Sequence, residues 1–175
     1  MCTMLTLAMA FLAAGSLHAE KLPNGLEFQT PEAWSVKDIG EAALLEPVPL
    51  DGDAAELYLV TVLPRVRDLQ DPQLTAVQKR YLPLETPVRL AGPPQSFAAA
   101  SGTGYLYRYE PVGGNVALSM RIYVVGLPGG GVAAVIAIAR PSLWTQREAA
   151  ITALASSVTR LESQAGRSTL FAQSE

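Results

Sequence analysis

Three tyrosines at alternate positions are the first residues in this chain whose types and spacing could do chemistry. Tyr105, Tyr107 and Tyr109 fall on one face of a predicted strand, because side chains alternate along a strand. A row of broad rings with polar tips could stack a sugar, a peptide or an aromatic ligand. The alternative is a cross-strand aromatic ladder that packs against helix side chains. Together with Trp34, which lies near the start of an element, these tyrosines are the candidate ligand-binding residues.

Residues for common catalytic chemistry are confined to the start of the chain. The only cysteine, Cys2, and the only histidine, His18, lie within the first nineteen residues, which are typical of a secretory signal peptide. A domain cleaved after Ala19 therefore has no Ser-His-Asp triad, no cysteine nucleophile, no disulfide and no Cys/His metal site. We predict that the domain is not an enzyme, with no catalytic residue, no cofactor and no metal.

The remaining polar motifs predict structure more than chemistry. Asp51, Asp53 and Glu56 place three carboxylates within six residues, which suits calcium, but the spacing fits no complete loop motif and favours a hairpin turn with solvated charges. A hydrolase built from carboxylates would need two acids across a cleft, and the sequence favours no pair. Gly102 and Gly104 lack the third glycine of a dinucleotide fingerprint and precede a strand rather than a helix.

A second set of charges lies on the strand face opposite the tyrosines. Arg108 and Glu110 share that face, and Arg121 lies on the neighbouring predicted strand. These residues could form an interior ion cluster, although a solvated edge is the expected arrangement.

The leader predicts export. An apolar run extends from Met4 to Ala14, which is too short to span a bilayer and is followed by small residues, so we expect a cleaved signal peptide rather than a transmembrane anchor. Cleavage after Ala19 is the first choice and cleavage after Ser16 the second. We therefore predict a periplasmic or secreted protein. The predicted organisation is a signal peptide at 1–19, one globular domain at 20–165 and a flexible tail at 166–175.

Charge and size limit the class of partner. Removing 19 residues from 175 leaves 156, enough for one domain with its own core. The chain has 13 basic and 16 acidic residues without a basic block, so the footprint of a nucleic-acid binder is missing. Only 17% of the residues are charged, which suggests exposed apolar area for a partner.

Hydrophobic patterning predicts the elements that position these residues. Alternating and β-branched runs predict strands, joined in places by Asp-Gly and Gly/Pro turns, and an apolar stripe at helical spacing predicts a final helix. The predicted strands are 42–48, 56–63, 86–90, 104–112, 115–127 and 131–140, with a short helix between Asp71 and Pro83 and a final helix that begins with a Thr145–Glu148 capping box and ends just before Gly166.

These elements predict an α+β fold. The last three strands form an antiparallel meander, and 131–140 is apolar on both faces, so both sides of the sheet must be covered. We expect an antiparallel sheet of about five to seven strands flanked by helices, an α/β/α sandwich. The final helix, with its stripe Ile151, Leu154, Ala155, Val158 and Leu161, is the expected cover of one face.

This layout resembles the PsbP-like fold group, which includes the DcrB-like bacterial envelope proteins. The resemblance is carried by Phe28-x-x-Pro31-x-x-Trp34, a strand pair, a short helix, the glycines at Gly102 and Gly104, three meander strands and the closing helix ITALASSVTRL. It covers most of the chain after the leader. It implies an antiparallel sheet between helices and a non-enzymatic binding, chaperone or assembly role, and it assigns no catalytic residue.

The predicted function is that of an exported accessory or binding protein of the bacterial envelope, acting by protein–protein contact. Its partner would be another envelope protein, held at the sheet edge or at the Gly/Pro-rich loops. The candidate loop residues are Gly113, Gly114, Pro128, Gly129 and Gly130. Two alternatives remain open: a periplasmic domain that binds a small ligand through the tyrosine face, and a carboxylate-dependent hydrolase.

Overall fold

The computed structural model describes residues 18–48, 56–63, 66, 69, 88–112 and 118–160. Within these residues the chain forms eleven strands and one α-helix, which confirms the predicted α+β class. The strands are β1 (His18–Lys21), β2 (Leu26–Thr30), β3 (Trp34–Asp38), β4 (Ala42–Pro47), β5 (Glu56–Val62), β6 (Val88–Leu90), β7 (Gln95–Ala99), β8 (Gly102–Pro111), β9 (Ser119–Gly126), β10 (Val132–Ala139) and β11 (Thr159–Arg160). A 3-10 turn (Pro141–Leu143) leads into the helix α1 (Trp144–Ser157).

A large antiparallel sheet dominates the described part of the chain. Its order is β3-β4-β5-β10-β9-β8, with both β6 and β7 paired to the outer side of β8. The predicted β4–β5 hairpin and the β8–β9–β10 meander are confirmed, and β10 joins them by pairing with β5. The sheet has eight strands rather than five to seven, because β3 and β7 are short strands of largely exposed residues that carry little hydrophobic signal.

The central strand β10 is buried on both faces, as its sequence predicts. All eight of its residues are buried, and they divide by alternation between two apolar clusters. One cluster, on the α1 side, contains Val135 and Ala137 together with Ile151 and Leu154 of the helix. The other, on the far side, contains Ile136 and its neighbours Leu59 and Ile122. We call these the helix-side face and the far face of the sheet.

The helix α1 lies between the large sheet and a small second sheet. The small sheet has the order β1-β2-β11, and α1 contacts its middle strand β2 as well as β7, β9 and β10. Ile151 and Leu154 are fully buried there. Burial of each side chain stabilises the fold by about 1.5–3 kcal/mol. The motif Phe28-x-x-Pro31-x-x-Trp34 is the connection from this small sheet to β3, with Phe28 buried in β2 and Trp34 opening β3.

The helix ends earlier than the sequence predicts. It stops at Ser157 rather than near Gly166, and the chain turns extended at Val158 to form β11. The Ser157 hydroxyl donates to the Leu154 carbonyl and accepts from the Gln29 backbone N–H, so it ties the helix end to β2. The β-branched pair Val158 and Thr159 favours the extended conformation that follows.

The predicted capping box at the start of α1 is wrong. The N-cap residue is Leu143, and no side chain caps the helix. Glu148 turns instead toward two arginines of the large sheet. The predicted short helix at 71–83, the Asp51–Asp53 turn and Leu161 lie outside the described residues, so the second flanking helix stays a prediction.

Candidate functional site

The three candidate tyrosines lie on the far face of the sheet, away from α1. Tyr107 and Tyr109 are buried in the far-face cluster, and Tyr105 is half-buried at its margin. The Tyr107 hydroxyl donates to the Leu69 carbonyl at 2.8 Å. Trp34 lies on the helix-side face near the opposite edge of the sheet. The structure therefore does not bring Trp34 together with the tyrosines, and among the three only Tyr105 offers part of its ring to a ligand.

Trp34 belongs to a different cluster, built around a buried carboxylate. Its ring centroid lies 4.7 Å from that of Tyr58, and the Arg147 guanidinium lies 5.9 Å from the Trp34 ring centroid. The Glu56 side chain is 1% exposed; Arg147 donates to both of its oxygens at 3.3 Å, and the Tyr58 hydroxyl donates at 2.5 Å. Burial, followed by the hydrogen bond to Glu56, raises the pKa of Tyr58 far above its ordinary value.

A second ion cluster lies farther across the helix-side face, on β8 and β9. Arg108 of β8 is directly opposite Arg121 of β9, and both side chains reach the helix-side face. One oxygen of Glu148, Oε1, lies 3.1 Å from Arg108 Nη2 and 2.6 Å from Arg121 Nη1. Like charges directly opposite each other weaken a strand pair, and Glu148 offsets that repulsion here. We call these three residues the arginine pair and its bridge.

The ion cluster fixes the protonation state of its acid. Burial by itself raises the pKa of Glu148, but the hydrogen bonds and positive charges of Arg121 and Arg108 outweigh that effect and hold the pKa below its ordinary value. Glu148 is thus an anion at neutral pH. Two guanidinium groups and one carboxylate leave one positive charge uncompensated within the trio.

An anchored tryptophan supports this cluster from the helix. Trp144, the first residue of α1, donates its indole N–H to the Ser119 hydroxyl, and the Arg121 guanidinium lies 4.2 Å from its ring centroid. Cation–π contact of this kind holds a guanidinium in one orientation. Arg108 is held separately, because it donates to the Gln95 side chain in β7 as well as to Glu148. Both arginines are therefore preorganised by the fold.

Glycine at position 104 is required by packing, not by ligand binding. A Cβ atom there would lie 2.5 Å from Cζ of Phe97 and 2.9 Å from the backbone oxygen of Val124. The Phe97 ring covers this glycine and meets Tyr123 edge-on with centroids 5.7 Å apart. Gly104 therefore makes room for an aromatic ring against the sheet.

The candidate interaction loops are only partly described. Gly113 and Gly114 lie outside the described residues, as do Asp51 and Asp53. Gly129 and Gly130 are exposed in the turn between β9 and β10, beside the half-buried Pro128. Leu127 donates to the Gly131 carbonyl and Gly130 to that of Leu127, both at 3.0 Å, which closes the turn. Gly129 and Gly130 have φ values of +76° and +99°, which favour glycine.

The solvated edge expected for Arg108 and Arg121 is wrong, because both side chains join an ion cluster whose anion, Glu148, the sequence does not identify. Glu110 shares the helix-side face and lies opposite Arg89 in the strand register, whereas Glu148 is the carboxylate that bridges the two arginines. The helical spacing does indicate that Glu148 faces the sheet, because it lies one turn after Trp144 and one turn before Ile151. The Glu56–Arg147 pair had no such signal, since its partners are 91 residues apart.

No helix within the described ranges is long and apolar enough to cross a membrane.

Comparison with known proteins identifies the fold. No protein-family model matches this chain, and no curated protein sequence does either. The solution structure of cyanobacterial PsbP (CyanoP) from Synechocystis sp. PCC 6803 matches at a TM-score of 0.56 and 15% identity, covering 86% of this chain and 96% of that one. The crystal structure of the Ran-binding protein Mog1p from Saccharomyces cerevisiae matches at a TM-score of 0.50 and 13% identity, covering 81% and 89%. The chain therefore has a PsbP-like fold, as its layout predicts.

Proposed function

We propose that this chain is a non-enzymatic accessory protein of the bacterial envelope that acts by binding another protein. The PsbP-like fold supports this, since one protein that shares it, Mog1p, is named for binding Ran. Fold alone does not determine function, so the proposal depends on the surface of this chain.

The position of its exposed apolar side chains carries the proposal. Among the described residues, the large hydrophobic side chains that are most exposed lie at the two lateral ends of the large sheet. Ile39 and Val48, 52% and 55% exposed, follow β3 and β4, whereas Leu90 and Val112, 44% and 50% exposed, lie in β6 and after β8. The central strands β9 and β10 carry no such residue. Apolar side chains gathered at sheet edges favour contact with a partner.

The two carboxylates that pair with arginines between the sheet and α1 favour binding over hydrolysis. A general acid needs a carboxyl group whose pKa is raised toward the working pH. Glu148 has a lowered pKa, and Glu56 is bound by Arg147 and Tyr58 with almost no exposure. Both groups therefore hold the helix to the sheet, which supports a structural role for them.

Export remains part of the proposal, and the structure bears on where the leader would be cut. Strand β1 begins at His18, and His18 and Ala19 pair with Thr30 and Gln29 of β2. Cleavage after Ala19 would remove these two pairs, whereas cleavage after Ser16 would leave β1 whole. We therefore propose cleavage after Ser16, which N-terminal sequencing of the exported protein tests directly.

Native mass spectrometry of the protein isolated gently from its own envelope fraction tests the function. We expect a protein partner at fixed stoichiometry. Two matched double variants locate it: Leu90→Ser with Val112→Ser at one end of the sheet, and Ile39→Ser with Val48→Ser at the other. The proposal predicts that one pair loses the partner while the other keeps it, with both variants folded by circular dichroism. A bound small molecule in place of a protein, or retention by both variants, would contradict it.

A further inference from the structure

We propose that the outer edge of β7 binds an extended segment of another protein in which acidic and apolar side chains alternate. This inference rests on the proposed function, because it names the surface and the chemistry of the partner. It follows from outward backbone groups of β7 that no described residue bonds, from the uncharged sequence of that strand, and from the side chains on the two faces beside it.

The backbone of β7 has hydrogen-bonding groups that point away from the sheet. Ala99 pairs with Gly102 across a two-residue connection, so alternate residues of β7 bond to β8 and the residues between them point outward. Ala100 shows the outward direction, since its N–H donates to the Ser156 carbonyl of α1 at 2.7 Å. Ser96 and Ala98 also point outward, both are exposed, and their outward groups have no partner within the described part of the chain.

This edge lacks the features that usually protect an outer strand. Proteins block open edges with charged residues, proline, bulges or a covering helix. Here α1 packs beside β7 and bonds to Ala100 at the end of the edge, whereas Ser96 and Ala98 stay exposed. The sequence of β7, QSFAA, contains no charge and no proline, and its pairing with β8 runs without a bulge. The opposite edge strand, β3, carries the exposed charges Lys37 and Asp38. β7 is therefore the more receptive edge for an added strand.

The helix-side face beside β7 selects for acidic side chains. Arg108 lies one strand inward, donates to Gln95 of β7, and shares the Glu148 carboxylate with Arg121. The trio keeps one uncompensated positive charge, and the Arg108 side chain is 29% exposed. Arg89 and Glu110, which are register partners on the same face, together add no net charge. An acidic side chain of an added strand would therefore be favoured on this face.

The far face beside β7 selects for apolar side chains. Ser96 pairs with Tyr105, whose half-buried ring borders the far-face cluster. Leu90, 44% exposed in β6, lies on the same face because it pairs with Tyr109. An added strand alternates between the two faces. Its side chains would therefore alternate between acidic and apolar.

Two blocked hexapeptides test this chemistry on the full chain. One is the acetylated and amidated peptide EVEVEV, and the other is KVKVKV, which has the same pattern with the opposite charge. NMR of the labelled protein follows the backbone amides. We expect EVEVEV to shift the amides of Ser96 and Ala98 and to slow their hydrogen exchange. KVKVKV should bind about tenfold more weakly or not at all, because it meets the uncompensated positive charge.

Matched proline variants separate edge pairing from general binding. Ala98→Pro removes an outward N–H and leaves the ladder to β8 intact, so the protein should fold. Val36→Pro does the same on β3, where the bonds of Ile39 to Ala42 and of Val48 to Ala33 place Val36 outward. EVEVEV binding should vanish in Ala98→Pro and persist in Val36→Pro. Arg108→Gln should reduce the preference for EVEVEV over KVKVKV.

Several results would overturn the inference. They are equal binding of the two peptides, unchanged Ser96 and Ala98 amides, loss of binding in Val36→Pro alone, and a dimer in which β7 pairs with a second copy. The native mass spectrometry described above judges the proposed function separately. If Ala98→Pro keeps the envelope partner, the β7 surface is wrong and the proposed function stands. If no protein partner exists, the proposed function fails even where the peptide binds.

Discussion

Arg108 and Arg121 lie directly opposite each other on neighbouring strands and share a single carboxylate oxygen. That oxygen belongs to Glu148, one turn into the helix that covers the sheet. The trio therefore joins β8, β9 and α1 through charge rather than through apolar packing. Its stability depends on the bridge, because two guanidinium groups without their anion repel each other.

Glu148→Gln tests the bridge. The variant keeps the shape of the side chain but leaves the arginine pair without its counter-charge, so the free energy of unfolding should fall by about 1 kcal/mol, a small value because Glu148 is 39% exposed. Urea unfolding measures the change. The control is Glu46→Gln, which neutralises an exposed carboxylate of β4 and should have almost no effect. Equal stability of the two variants would show that the bridge contributes nothing.

The same residue predicts a pH dependence. The pKa of Glu148 is lowered in the folded protein, so its contribution to stability is complete above the ordinary carboxyl pKa of about 4.3 and is lost as the pH falls through the lower folded value. Unfolding free energies measured from pH 7 to pH 3 should decline more steeply for the natural protein than for Glu148→Gln. Parallel curves for the two proteins would contradict the lowered pKa.

Gly104→Ala should destabilise the protein strongly. The added Cβ meets both the Phe97 ring and the Val124 backbone oxygen, and the backbone cannot move away cheaply. We expect a loss of about 1–3 kcal/mol, typical of overpacking. Gly126→Ala is the matched control on β9, since a Cβ there meets nothing within 4 Å. Thermal unfolding should give a lower melting temperature for Gly104→Ala than for Gly126→Ala. Similar melting temperatures would contradict the contact.

The central strands of the fold could be predicted from the sequence because their alternation is strong. In β10 every residue is apolar, and in β5 both faces are apolar, so strand and burial follow from pattern alone. β3 and β7 lack that pattern, because as outer strands they keep most of their residues exposed. The helix end at Ser157 depends on a hydrogen bond to Gln29, 128 residues away, which no local pattern contains.

The candidate site was less predictable than the fold, since charge pairs form between distant elements. The face shared by Arg108 and Arg121 follows from strand alternation and register, whereas the Glu148 bridge depends on how α1 docks. The capping-box pattern of Thr145 and Glu148 indicated a local role for an acid that tertiary contacts use differently. Local rules fail where a side chain has a better distant partner.

Ser119→Ala should leave the Trp144 indole N–H without its acceptor. Ser119 and Trp144 are both buried, and an unpaired buried donor costs about 1–3 kcal/mol. We expect a lower melting temperature and a changed Trp144 emission, observed in a Trp34→Phe background that isolates the signal. Ser35→Ala is the control, because its exposed hydroxyl makes only a long 3.4 Å bond to the Glu46 carbonyl. An unchanged melting temperature in Ser119→Ala would show that the indole N–H finds another acceptor.

Alkaline titration should reveal tyrosines that ionise only as the protein unfolds. Burial is the main cause that raises the pKa of Tyr58, Tyr109 and Tyr123, and the hydrogen bond to Glu56 adds to it at Tyr58. A raised folded pKa adds stability that is complete below the ordinary tyrosine pKa of about 10 and is lost as the pH rises toward the folded value. The absorbance of tyrosinate should therefore show at least three tyrosines that ionise only when the native circular dichroism is lost. In urea all six should titrate together near the ordinary value. Simultaneous ionisation of all six in the folded protein would mean that these hydroxyls reach water, and the far-face and helix-side clusters would then be more open than the structure has them.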